Sequence, residues 1–336
     1  MTSRRLACLS GGIKVTLDPF HMTTAFLFPG QGSQAVGMGK ALADAFPEAR
    51  AVFREVDDAL SENLSQTIWQ GPAEQLTLTA NAQPALMAVS MAVMRVLEAK
   101  GVSLEKQVAC VAGHSLGEYS ALAAAGALSL ADTARLLRLR GRAMQAAVPV
   151  GQGAMAALLG IDAEGAHRAV AEAAQGDVCQ VANDNDPGQV VISGNKAAVE
   201  RAGEIAKKFG AKRAMMLNVS APFHCALMQP AADAMQIALA AVTIHRPTVP
   251  VIANVLAGPV SDPDEIRKRL VEQVTGTVRW RESVAHMAAA GVTQVYEIGA
   301  GKVLCGLAKR IVVTLEARPI GTPEDIDAVI AALSTK

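Results

Sequence analysis

Val108-Ala109-Cys110-Val111-Ala112-Gly113-His114-Ser115-Leu116-Gly117-Glu118-Tyr119-Ser120-Ala121-Leu122-Ala123 reads as three consecutive instructions. The first five residues are a short apolar run of the kind that forms a fully buried strand. From Glu118 the pattern turns helical. Between them a serine stands with a glycine two residues away on either side, the spacing that relieves steric crowding when a strand reverses sharply into a helix. On such a turn the hydroxyl projects into open space, and the Leu116 amide and the helix N-terminus face the place where an oxyanion would develop. Ser115 is therefore the candidate nucleophile of an acyl-serine enzyme. The competing structural reading is a glycine-flanked turn that merely packs the sheet.

Outward from this turn the chain alternates strands and helices. Ala25-Phe28 reads as a strand, Val36-Phe46, Ala49-Ala59 and Gln83-Lys100 as helices, and Val108-Ala112 as the next strand, which is the rhythm of a mostly parallel sheet. Between residues 149 and 219 the order changes: strand Ala154-Leu159, helix Ala163-Ala174, strands Val178-Asn183 and Val190-Ser193, helix Lys196-Phe209, strand Ala214-Val219. That βαββαβ order is the ferredoxin-like unit. A helical pattern then resumes, with strands at Val249-Val255 and Val292-Ile298 and a helix from Lys302. The expected organisation is a large α/β domain from residues 22–148 and 220–336, with a smaller ferredoxin-like domain, 149–219, inserted in it. Residues 1–21 are expected to be a disordered leader or artefactual extension ahead of a natural start at Met22, with organelle targeting as the alternative.

Composition narrows the function classes. Of 336 residues 51% are hydrophobic, enough for a large core, and 31 Lys plus Arg balance 31 Asp plus Glu, so no net field draws the chain to nucleic acid or an anionic membrane. Aromatic content of 3% argues against base-stacking surfaces. Cys8, Cys110, Cys179, Cys225 and Cys305 form no C-x-x-C pair or zinc spacing, which predicts a reduced, cytoplasmic protein without a metal. No apolar run reaches the roughly 18 residues of a membrane span.

A serine hydroxyl needs a base, and six histidines are available. His21 lies in the leader, His114 adjoins the serine and should point elsewhere, His167 and His286 sit in helical stretches, and His245 precedes Arg-Pro. His224, in Ser220-Ala221-Pro222-Phe223-His224, follows a strand and precedes a helical stretch, the corner where catalytic residues of open α/β sheets gather. In the helical pattern Ser129-Ala147, Arg140 falls on the apolar face with Leu136, Leu137, Ala143, Met144 and Ala147, while Arg135, Arg138 and Arg142 fall on the opposite, solvated face. A buried guanidinium needs an acid, and the second half of this helix has none, so a ligand carboxylate is the expected partner; a distant core carboxylate, or snorkelling of the side chain to the surface, is the alternative. Two glycine-rich loops invite misreading. Gly30, Gly32 and Ala35 satisfy a dinucleotide pattern but lack its closing strand and acid, and Gly299-Ala300-Gly301-Lys302-Val303 lacks the Ser or Thr of a phosphate loop. The first is read as a backbone cradle for an oxyanion, the second as a tight turn.

Taken together, Phe28-Pro29-Gly30-Gln31-Gly32-Ser33-Gln34, Gly113 to Ser120, Arg140-Gly141, Pro187 to Gly194, Pro222-Phe223-His224 and Gly301-Lys302-Val303-Leu304 resemble the malonyl-CoA:acyl carrier protein transacylases of bacterial fatty-acid synthesis, over about Thr23 to Leu315. The resemblance implies an α/β-hydrolase-like large domain with the ferredoxin-like insertion, no cofactor, and malonyl-CoA and acyl carrier protein as partners of a monomer. It implies that the amides of Gln31 and Leu116 form the oxyanion hole, that Arg140 holds the malonyl carboxylate, and that the main-chain carbonyl of Gln273 orients His224. His114 and Asn183 are placed near the substrate, and Phe223 would crowd an α-methyl group. Gly276-Thr277 stands where relatives commonly have Asn-Pro, and Ala300 replaces a common proline. A serine esterase or thioesterase, a stand-alone polyketide-type acyltransferase, and a non-catalytic docking module are the alternatives.

Overall fold

Ten strands lie among residues 23–334, which the computed structural model of the chain describes: β1 (Thr24–Phe28), β2 (Cys110–Gly113), β3 (Gly153–Leu159), β4 (Cys179–Asp186), β5 (Gln189–Asn195), β6 (Arg213–Met216), β7 (Val251–Ala253), β8 (Gly258–Val260), β9 (Gln294–Ile298) and β10 (Glu316–Ile320). The expectation for residues 1–21 lies outside the described residues. Six strands form one sheet in the order β10-β9-β1-β2-β7-β8, parallel throughout except for the β7–β8 pair. The other four form an antiparallel sheet in the order β4-β5-β3-β6.

The central strands of the parallel sheet are buried on both faces, which is why their sequences run apolar without alternating. Phe26 and Phe28 of β1 pack into a core with Leu86, Val89 and Tyr119. Ala25 and Leu27 face the other way, against Trp280, Leu304 and Leu307. The strands β9, β1 and β2 lie side by side, and the segments that leave their carboxyl ends line one cleft. The smaller sheet packs on the helices Ala163–Ala174 and Lys196–Ile205 around Leu158, Ile192, Val199 and Ala202. β4 ties it to the larger body. The Val278 amide donates to Ala182 O and the Asp184 amide to Val278 O, while Asp184 pairs with Arg281 and Asp186 with Arg310.

Several expected boundaries move. The helix expected over Val36-Phe46 forms only at Lys40–Ala45, because Gly37 and Gly39 take left-handed backbone at φ 93° and 71°. The Lys196-Phe209 helix is α only to Ile205 and tightens to a 3-10 turn over Ala206–Phe209. β4 continues to Asp186 past the expected end at Asn183. The edge strand β10 escapes periodicity because Arg318 and Pro319 interrupt it, and proline is tolerated there only because an edge needs no further donor.

Candidate active site

Ser115 sits between β2 and the helix Gly117–Ala124 with φ 54°, a left-handed conformation rare for a side-chain-bearing residue. Both flanking glycines are sterically required: a Cβ on Gly113 would lie 1.9 Å from the Gly117 carbonyl carbon, and one on Gly117 would lie 2.2 Å from Phe28 O. Gly117→Ala is therefore expected to push the helix off β1, lowering stability by about 3 kcal/mol or more and misplacing the nucleophile. Thermal unfolding compared with a Gly258→Ala control, where the added Cβ would meet only Leu256 O at 3.9 Å and the backbone is not left-handed, measures the steric part of that loss.

The turn is held from outside by Asn254, at the end of β7. Its Oδ1 accepts the Ser115 amide at 2.7 Å, and its Nδ2 donates to Gly113 O at 2.7 Å. Ser115 Oγ stands 2.8 Å from His224 Nε2. His224 Nδ1 lies 2.9 Å from the main-chain carbonyl of Gln273. A carbonyl only accepts, so Nδ1 carries the proton and Nε2 is free to take one from the serine. His224 is itself left-handed, at φ 60°, and buried. Burial, reinforced by the nearby Arg140 charge, pushes its imidazole down to about 3, which keeps it in the neutral, basic form.

Arg140 projects from the helix Leu130–Ala146 into this site with 1% of its surface exposed. Its Nη1 donates to Gln83 Oε1 at 2.8 Å, and its Nη2 to Gln273 Oε1 at 2.9 Å and Ser115 Oγ at 3.1 Å. All three acceptors are uncharged, and among the described residues no carboxylate forms an ion pair with Arg140. The desolvation that lowers its pKa is opposed by Tyr119 and Glu118. Arg138 corrects the expected solvated face: it is buried, donating to Ala80 O, Asn81 and Glu62, because the first turn of the helix Thr79–Ala99 and the turn that carries Glu62 close over it. Only Arg135 and Arg142 remain exposed there.

The other expected site residues converge on the same cleft of about 420 Å³, lined by Gln31, Leu116, His114, Asn183 and Phe223. The amides of Gln31 and Leu116 make no backbone hydrogen bond among the described residues, while the Gln31 side chain is held by Thr79 Oγ1 at 2.6 Å. His114 does not turn away from the site. Its Nε2 meets Asn185 Oδ1 at 2.9 Å and Asn183 Nδ2 at 3.4 Å, and desolvation lowers its pKa against the Asn185 bond. Gly30 is required beneath it, since a Cβ there would lie 2.8 Å from His114 O. Gly299 and Gly301, at φ 120° and 84°, form the expected tight turn, with Gly301 packed on Ser33. Among the described residues no group of three His, Cys, Asp or Glu side chains could hold a metal ion.

Asn254, Gln83, Asn185 and Glu118 were not anticipated. Asn254 fell inside an expected strand, and Glu118 was read only as the start of the helix after the Ser115 turn. The remaining signal for each was a polar residue in an otherwise buried segment.

The acyl transferase domain family model matches residues 25–316. The malonyl CoA-acyl carrier protein transacylase of Escherichia coli K12 is 50% identical over 306 residues, covering 91% of this chain and 98% of its own length. That of Bacillus subtilis strain 168 is 48% identical over 92% of this chain and 96% of its own. A crystal structure of an acyl-carrier-protein-S-malonyltransferase from Bartonella henselae superposes with a TM-score of 0.91 at 60% identity, covering 93% of this chain and all of that one. A malonyl-transacylase solved in complex with a type II polyketide-synthase acyl carrier protein gives 0.89 at 46% identity over 93% of this chain and 99% of its own.

Proposed function

The chain belongs to the malonyl CoA-acyl carrier protein transacylases of the acyl transferase family, and from that premise we propose that it moves a malonyl group from malonyl-CoA to the thiol of acyl carrier protein through an ester on Ser115. The large body, residues 22–148 and 220–336, is assigned a hydrolase-like architecture, and residues 149–219 a ferredoxin-like one, in keeping with the order β4-β5-β3-β6.

In the first half-reaction His224 Nε2 takes the hydroxyl proton as Ser115 Oγ bonds to the thioester carbon. The resulting oxyanion is received by the amides of Gln31 and Leu116. The C–S bond breaks, the proton on His224 passes to the departing coenzyme A sulfur, and malonyl-Ser115 remains. In the second half the carrier thiol gives its proton to His224, attacks the ester carbon and expels Ser115, which recovers the proton. Gln273 O holds the histidine through both halves without bearing charge, so it orients the ring and does less than a carboxylate to favour the imidazolium.

The observation that carries this reading is Arg140: a buried guanidinium beside Ser115 Oγ, held only by uncharged oxygens. An ester hydrolase has no use for it, whereas an acyl chain ending in a carboxylate satisfies its charge and its fork geometry together. The seat of Asn183, His114 and Phe223 in the cleft supports their role in holding substrate.

Incubation with labelled malonyl-CoA and no acceptor should leave one label per chain, on the peptide containing Ser115, and added acyl carrier protein should remove it. Label absent from the wild type, or retained in full by Ser115→Ala, would overturn the assignment.

A further inference from the structure

The helix that starts at Ser115's turn carries a second ionisable group, Glu118, with 2% of its surface exposed. Its Oε2 accepts the Asn254 amide at 2.9 Å and Gln273 Nε2 at 2.8 Å. Gln273 uses its other amide atom, Oε1, to accept from Arg140 Nη2. One carboxamide group therefore separates the Glu118 carboxyl from the Arg140 guanidinium. The same Gln273 Nε2 also donates to Ser115 O, and its main-chain carbonyl holds His224, so Glu118 reaches the nucleophile, the base and the arginine through one residue.

We propose that Glu118 is the internal counter-charge of Arg140 and helps determine acyl specificity: it takes up a proton when a substrate carboxylate occupies the guanidinium, and its charge competes with that carboxylate when it does not. This rests on the reading of Arg140 as the seat of the acyl carboxylate and adds a regulation of that seat.

Two anions sharing one buried cation cannot both be favoured, because each lowers the benefit the other draws from it. Glu118 is poised to be the one that yields. Burial holds its carboxyl up at about 7, against the opposing pull of the Asn254 amide, Gln273 and Arg140. The charged and titratable groups around it are Arg140 from Leu130–Ala146, Tyr119 on its own helix, and His114 and His224 at the site. β1 and β7 contain no ionisable side chain, β2 carries only Cys110 on the opposite face of the sheet, and the ionisable pair on Thr79–Ala99, Arg95 and Glu98, lies at the surface. On Leu130–Ala146 Asp132, Arg135 and Arg142 are at least partly exposed and Arg138 pairs with Glu62, and on Pro263–Thr275, which supplies Gln273, Asp264, Glu265, Arg267, Lys268, Arg269 and Glu272 are at least partly exposed. His224, at about 3, stays neutral near pH 7 and does not mask the event. A raised carboxyl pKa means Glu118 is neutral below about 7 and ionised above it. The affinity for a carboxylate-bearing acyl donor should therefore fall as pH rises through that region, while a donor without a carboxylate is indifferent.

The experiment compares malonyl-CoA with acetyl-CoA in wild type and Glu118→Gln, whose amide oxygen can accept both hydrogen bonds without charge. In the wild type, KM for malonyl-CoA should rise on the order of tenfold between about pH 6 and pH 8 relative to acetyl-CoA, the scale set by having to protonate, one pH unit above its value of about 7, a carboxyl that must be neutral for the donor carboxylate to bind. In Glu118→Gln this differential rise should vanish. An independent reading needs no variant. Loading converts an alcohol and a thioester into an ester and a thiol, with no net proton, so an indicator dye in weak buffer at pH 7 should report proton uptake with malonyl-CoA and none with acetyl-CoA. A differential rise unchanged in Glu118→Gln, a rise equal for both donors, or no proton uptake on malonyl loading overturns the inference. A wild type that loads both donors equally at every pH instead removes the Arg140 reading beneath it.

Discussion

His224→Asn is expected to slow malonyl loading of Ser115 by about four orders of magnitude or more while leaving KM for malonyl-CoA close to the wild-type value. A serine hydroxyl at its ordinary pKa is almost wholly protonated near neutrality, and the site holds no other group placed to take its proton: His224 Nε2 is 2.8 Å away, whereas Arg140 Nη2 at 3.1 Å can only donate. Losing the base of such a unit costs about as much as losing the nucleophile, and what survives is the contribution of binding and the oxyanion amides. Asparagine is chosen because His224 stands at φ 60°, where alanine would add backbone strain of its own and asparagine is better tolerated. Rapid-quench single-turnover loading measures the effect. Loading within tenfold of wild type would remove His224 as the base.

Arg140→Ala is expected to lower kcat/KM for malonyl transfer by about 10²- to 10⁴-fold and to affect acetyl transfer far less. Two charge-assisted hydrogen bonds from one guanidinium, each contributing about 1.5–3 kcal/mol, give that range. The substitution also leaves Gln83 Oε1 and Gln273 Oε1 without their donor, so part of any loss is common to all acyl groups. The malonyl-to-acetyl ratio cancels that part. Arg140→Lys should recover only a fraction, since an ammonium cannot reproduce the planar fork. Steady-state transfer to acyl carrier protein with each donor measures the ratio, and equal losses would make Arg140 a structural cation.

How much of this was legible depends on the range over which each signal acts. The turn at Ser115 was readable because its cause is local: glycines at 113 and 117 are demanded by atoms of the turn and of β1, and the motif carries them in five residues. Arg140 was readable because helical periodicity alone put it on the apolar face. The same periodicity misplaced Arg138, since its burial is produced by Ala80, Asn81 and Glu62, which are far away in the chain. His224 was reached by eliminating other histidines and by its strand-to-helix corner. The role of the Gln273 carbonyl came only from family resemblance, because every residue has a carbonyl and nothing in the local pattern marks one.

Local chemistry in the chain thus determined the strand–turn–helix at Ser115, the alternating α/β rhythm, the βαββαβ order of residues 149–219 and the inward arginine, all consequences of sterics and hydrophobic periodicity within a few turns. The tertiary structure alone decided that Asn254 clasps the Ser115 turn, that Gln273 joins base, arginine and Glu118, and that Arg140 meets its nearest acid only through the Gln273 carboxamide and not in a direct ion pair. The physical reason is that polar side chains are satisfied by whatever partner folding delivers, and those partners come from the ends of different strands and helices, at separations over which no periodicity carries information.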